Sequence, residues 1–551
     1  GGNLAATTDA NNGLITLGTL AVDGTVALTP NGSGKATAVN GAGLTFAAST
    51  VGGNLAATAT TGNMTDSGAL TITGTSSFTT SANNATIVLN TTTNAFTGAL
   101  TITTNDDSGT DADVTIDGGT TALVLAASTI DGDLTVTSGN ASGITDSGTL
   151  TVGGNLAATT DANNGLINLG TLAVDGTVAL TTNGSGNATA VNDAGLTFAA
   201  STVGGNLSAT ATTGNMADSG ALTIAGTTTL TTSANNATIA IDTTTNAFTG
   251  AVTITTNDDS GTDADVTIDG GTTALILAAS TIDGDLTVRS GNASGITDSG
   301  TVTVGGNLVA TTDANNGLIN LGTLAVDGTV ALTTNGSGNA TAVNDSGLTF
   351  AASTVGGNLA ATATTGNIAD SGALTITGTT TLTTSANNAT IALDTTTNAF
   401  TGAVTIMTND NSGTDADVTI DGGTTALILA ASTIDGDLTV RNGNSITDSG
   451  TLTVGGNLAA TTDANNGLIN LGTLAVDGTV ALNTTGSSGN ASIDNGTTAL
   501  NIAASSVGGE LHLRSGNNIC LLYTSDAADD SLRVDLGGRR IIKKAAAADP
   551  P

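Results

Sequence analysis

The chain has 551 residues, with 9 Lys or Arg against 45 Asp or Glu and a formal net charge of −36, so nucleic acid and anionic membranes are poor partners. Aromatic residues make up 1% of the chain, charged residues 10% and hydrophobic residues 38%, with 76 glycines. This composition excludes an ordinary aromatic-rich globular core and also a disordered chain, which combines low hydrophobicity with high charge; small aliphatic side chains must instead be buried in many thin layers of an elongated fold. No apolar run approaches membrane-spanning length, so this segment is not expected to insert into a bilayer.

In chain order, the first element is a repeat. "GGNL" followed by "ATTDANNGLI" begins at Gly1, Gly153, Gly305 and Gly455, with Val309 standing where the first copy has Ala5. The chain therefore divides into repeats 1–152, 153–304 and 305–454, a truncated repeat 455–519 and a tail 520–551. The third repeat is shorter because "VRSGNASGITDSG" from Val288 becomes "VRNGNSITDSG" from Val440. A loss within Ser, Gly and Asn marks a turn.

Inside each repeat, a large side chain follows a small-residue turn at Leu4, Val26, Leu55, Phe78, Leu100, Leu134 and Leu156. This spacing predicts a unit of about 22 residues, with two longer units carrying extra loop. Between turns the chain alternates, as in "LTITG" from Leu70 and "LTITT" from Leu100, which is the pattern of short strands. Ile87-Val88-Leu89 becomes Ile239-Ala240-Ile241 and Ile391-Ala392-Leu393. The outer two positions keep a large aliphatic side chain and should point inward. Tandem short strands joined by tight turns predict an all-β fold, an elongated parallel β-helix (β-solenoid). At ~4.8 Å per coil, roughly 20 to 24 coils would extend on the order of 100 Å. Asn3, Asn155, Asn307 and Asn457 would share one corner and hydrogen-bond along the axis.

The most acidic cluster is "TNDDSGTDADVTIDGG", with Asp106, Asp107, Asp111, Asp113 and Asp117, repeated as Asp258, Asp259, Asp263, Asp265 and Asp269. Carboxylates around a glycine suit calcium, yet the spacing matches neither an EF-hand loop nor a nonapeptide calcium repeat. A solvated loop is the simpler reading, with calcium left open. Before the tail the basic groups are Lys35, Arg289, Arg441 and Arg514, and the single His is His512. Near-identical repeats offer no unique constellation, so we assign no catalytic, cofactor-binding or metal residue and expect no enzyme. His512 alternates with Leu511 and Leu513 and reads as an outward strand residue. Thr71/Thr73 and Thr101/Thr103 read as exposed strand threonines, although flat Thr rows can also order water.

"ITDSGTLTVGGNL", "NAFTGALTIT" and "TALVLAASTIDGDLTV" resemble repeats of bacterial surface proteins of the filamentous-haemagglutinin and autotransporter-adhesin type, over Gly1 to about Asn518. The resemblance implies a stalk or fibre segment of a secreted adhesin on the bacterial outer surface, acting by projection and multivalent contact. Its partners would be glycans or proteins of host or neighbouring cells, with end-to-end self-association through unpaired strand edges. The alternative is a carbohydrate-binding or polysaccharide-cleaving β-helix protein whose active part lies outside this fragment. From Cys520 to Pro551 the pattern changes. "CLLYTSDAADD" and "VDLGGRRII" resemble a translated transposase-type sequencing adaptor and the primer segment that follows it, so 520–551 is expected to be a non-native, disordered tail.

Overall fold

Short strands of Val, Ile, Leu and Thr, each closed by Gly, Asn or Ser, cannot bury their apolar face alone and do so by stacking on the next copy of themselves. The computed structural model describes residues 1–105, 111–257, 263–409 and 415–521, in two units, Gly1–Leu286 and Thr287–Pro551. Both are parallel β-solenoids with roughly 21 residues per coil, and no helix occurs among the described residues.

In the first unit one coil runs through Leu44–Phe46, Ser49–Val51 and Leu55–Ala59, and the next repeats it at Met64–Asp66, Leu70–Ile72 and Ser76–Thr80. The ladders keep exact register: Leu55 faces Ser76 and Ser76 faces Leu100, while Ala57 faces Phe78 and Phe78 faces Ile102. In the second unit Ala340, Leu359, Thr380 and Val404 align in the same way. All seven phenylalanines of the chain are fully buried. Phe46, Phe78 and Phe96 meet edge to face, with centroids 6.4 and 5.9 Å apart.

Ile87 and Leu89 are buried while Val88 between them is half-buried, and Ile239/Ile241 and Ile391/Leu393 repeat this, as the comparison of copies predicts. The expected coil of about 22 residues agrees with the roughly 21 observed, but the two longer units need correction. Val26 to Leu55 and Leu100 to Leu134 are not long units, because each step crosses from one side of the solenoid to another. Val26 stacks on Phe46, Leu55 on Ala36 and Leu134 on Val114.

The turns have an equally regular cause. Every described non-glycine residue with positive φ is the second Asn of an Asn-Asn pair: Asn12, Asn84, Asn164, Asn236, Asn316, Asn388 and Asn466. Asn tolerates the left-handed region better than other side chains with a Cβ. Where a side kinks instead of turning, a serine enters the interior. Ser49 Oγ accepts the Leu28 N–H at 3.0 Å and donates to the Ala47 carbonyl at 2.9 Å; Ser201 and Ser353 repeat the arrangement.

The boundary expected at 519/520 falls inside a strand. Ile519–Leu521 pairs with Leu500–Ile502, placing Cys520 opposite Asn501. The remainder of the expected tail lies outside the described residues.

Candidate functional site

Of the acidic cluster, Asp106, Asp107, Asp258 and Asp259 lie outside the described residues. Asp113, Asp117, Asp265 and Asp269, which follow them, act as turn acceptors. Asp113 Oδ1 takes the Asp133 N–H at 2.9 Å, Asp133 Oδ1 takes the Asn155 N–H at 2.7 Å, and Asn155 Oδ1 takes the Thr177 N–H at 2.8 Å. The Asp111 N–H reaches Asp131 Oδ2 at 3.4 Å. In the second repeat Asp265 Oδ1 accepts the Asp285 N–H at 2.8 Å. These side chains climb from coil to coil, each holding a backbone amide of the next strand, where convergence on one point would be needed for a cation. Among the described residues, no group of three or more His, Cys, Asp or Glu is placed to hold a metal ion.

The corner asparagines belong to the same device. Asn3 Oδ1 accepts the Thr25 N–H at 2.9 Å, Asn307 serves Thr329, and Asn457 serves Thr479. The hydrogen bonds do run along the axis, but they join each Asn to a Thr one coil on. Copies of the same Asn lie many coils apart.

Buried asparagines go further. Asn40, Asn192 and Asn344 are 1% exposed, and each amide pairs with both the N–H and the carbonyl of one valine in the preceding coil: Val22, Val174 and Val326. Asn94 Oδ1 accepts the Leu70 N–H at 2.8 Å and its Nδ2 donates to Asp66 Oδ2 at 2.7 Å. Asn246 and Asn398 repeat this on Leu222/Asp218 and Leu374/Asp370. Such groups are buried without penalty because they replace the ladder bonds that the corner interrupts.

The arginines show a pattern that sequence reading passed over. Arg289, Arg441 and Arg514 occupy one position of the repeat, and the first repeat has Thr137 there. Arg441 sits in register with Asp421 and reaches Asp463 with Nη2 at 3.1 and 3.2 Å. Arg514 sits in register with Asp494 and pairs with it at 3.4 Å. Arg289 contacts Asp313 at 3.0 and 3.1 Å. Writing the repeats one above another reveals the position; counting basic residues does not. In the first repeat Asp117 faces Thr137, and burial, followed by the negative charges of Asp161 and Asp66, holds its carboxyl above the usual carboxylate value against the opposing hydrogen bond from the Gly119 N–H.

His512 is exposed between buried Leu511 and Leu513 and lies 3.2 Å from Glu510, as its alternation predicts. Thr71, Thr73 and Thr103 are exposed and Thr101 is half-buried. Outward threonines stack in register over several coils, as at Thr58, Thr79, Thr103 and Thr129; loops do not interrupt that row.

No curated protein and no solved structure matches the chain. A family model described as "Repeats of unknown function (DUF5649)" matches residues 33–103, 111–169, 185–255, 263–322, 337–407 and 415–483. The matched segments cover more than half of the chain, start anew in each repeat and fall on the stacked strands, and the chain belongs to this repeat family.

Proposed function

We propose that the chain is a structural stalk segment of a secreted bacterial cell-surface adhesin. One observation carries the reading: the polar side chains that would form a binding or catalytic site in a globular protein are used here to join one coil to the next. Asp133, Asn155, Asn192 and Arg441 are all engaged in this way. A segment built so transmits position and force and presents a long acidic surface for weak, repeated contacts with glycans or proteins of another cell. It has no catalytic role and no nucleic-acid partner, and its place is the outer cell surface. The adhesin assignment rests on the resemblance of the repeats, and the stalk assignment on the stacked coils of each unit.

The test is display of the intact gene product on cells, with one 152-residue repeat removed. A stalk shortens by about seven coils, roughly 34 Å at the parallel-strand spacing, while adhesion through the rest of the protein persists. Loss of a defined glycan-binding or glycan-cleaving activity of the purified chain on removing one repeat would reject the stalk in favour of a carbohydrate-active solenoid.

A further inference from the structure

We propose that the corner of the first repeat at Asp117 is an acid-tightened seam, where the Gly1–Leu286 unit opens locally at neutral pH and closes as the medium is acidified. The geometry comes from comparing repeats. At the matching corner of the third repeat, Arg441 lies in register with Asp421 and bonds Asp463, placing one positive group between two carboxylates. In the truncated repeat Arg514 pairs with Asp494. The first repeat keeps both carboxylates, Asp117 and Asp161, and substitutes neutral Thr137 for the arginine.

The groups facing this corner are as follows. On its own turn, Asp117 Oδ1 accepts the Gly119 N–H at 2.7 Å. On the next strand Thr137 is in register, and beyond it lies Thr159. The charged groups acting on it are Asp161 and Asp66, both acidic. Lys35 is the single Lys or Arg of the whole Gly1–Leu286 unit, so no arginine from elsewhere in the unit replaces the missing one. Repulsion at a partly buried corner is screened less than on an open surface.

The sign follows from linkage. A carboxyl whose folded-state pKa lies above its unfolded value binds its proton more tightly when folded. Its contribution to stability is therefore present at low pH and lost as pH rises through the raised value. At neutral pH the seam is at its weakest.

Hydrogen exchange of the full chain, read by mass spectrometry and corrected for intrinsic pH dependence, compares Val114–Asp117 and Leu156–Asn163 with Val418–Asp421 and Leu458–Asn465. We expect the first-repeat strands to exchange severalfold faster at neutral pH and the difference to close on acidification. Thr137→Arg should abolish the difference at neutral pH, whereas Thr137→Gln, which adds length without charge, should leave it. Asp161→Asn offers a second route to the same closure. Equal protection of the two repeats at neutral pH, or rescue by Gln as complete as by Arg, would overturn the proposal.

Discussion

Asn192 closes on Val174 as a neighbouring strand would: its Oδ1 accepts the Val174 N–H at 2.9 Å and its Nδ2 donates to the Val174 carbonyl at 3.0 Å. Asn192→Leu fills a similar space and leaves both backbone groups buried and unpaired. Each such group costs about 1–3 kcal/mol, so the substitution should destabilise the surrounding coils by about 2–6 kcal/mol. Denaturant melting with exchange read locally is the suitable measurement, since stacked repeats need not unfold in one step. Retained protection of Thr177–Asn183 and Ala188–Asn192 would contradict the assignment.

Three matching hydroxyls point the other way. Ser76 Oγ, Thr228 Oγ1 and Thr380 Oγ1 are buried without a hydrogen-bond partner, at the same inward position of successive repeats. Thr228→Val and Thr380→Val keep the shape and remove the unpaired group, and each should stabilise by about 1 kcal/mol. A fall in stability would show that these hydroxyls find a partner in solution.

Lys35 stands where later repeats have Asn187, Asn339 and Asn490. Those three accept the N–H of Asn206, Asn358 and Glu510, each at 2.8 Å. Lys35→Asn should give the Asn54 N–H the same acceptor and add about 0.5–1.5 kcal/mol. Slower exchange at Asn54 is the direct readout, and an unchanged rate would remove the explanation.

Phe78 is the aromatic exception among its copies, Leu230 and Leu382, and Ser76 is the small exception beside Thr228 and Thr380. The two changes compensate in volume on one inward face. Phe78→Ala should cost about 3–5 kcal/mol, with the edge-to-face contacts to Phe46 and Phe96 lost together. Phe78→Leu should be better tolerated alongside Ser76→Thr than alone, a coupling that a double-mutant cycle measures. Simple additivity would mean that the two side chains do not share space.

The parallel β-solenoid was legible because copies can be compared: the constancy of Ile87 and Leu89 against variable Val88 marks the inward face without any coordinates. The side of the coil to which each turn leads was less legible, since Val26 and Leu55 both follow small-residue turns although they belong to different sides. Asparagine was the hardest residue to place. Asn12 and Asn84 act as the turn formers their pairs suggest, yet Asn94 and Asn192 are interior groups, and nothing local separates the two uses. Only the positions that Asp66 and Val174 occupy one coil away decide it. The arginine position was present in the sequence and would have emerged from aligning "LTVTSGN" at Leu134 with "LTVRSGN" at Leu286. Its meaning still needed the register that puts Arg441 beside Asp421.

The inter-coil bonds also set the order in which the structure can be built. Thr25 finds its acceptor on Asn3, 22 residues earlier, and Leu70 finds Asn94, 24 residues later. Contacts of such short sequence separation carry a small loop-closure penalty. A coil already formed offers the following segment both a template and the polar partners it needs. The chain can therefore assemble directionally, coil upon coil, as it becomes available, without waiting for distant segments to meet.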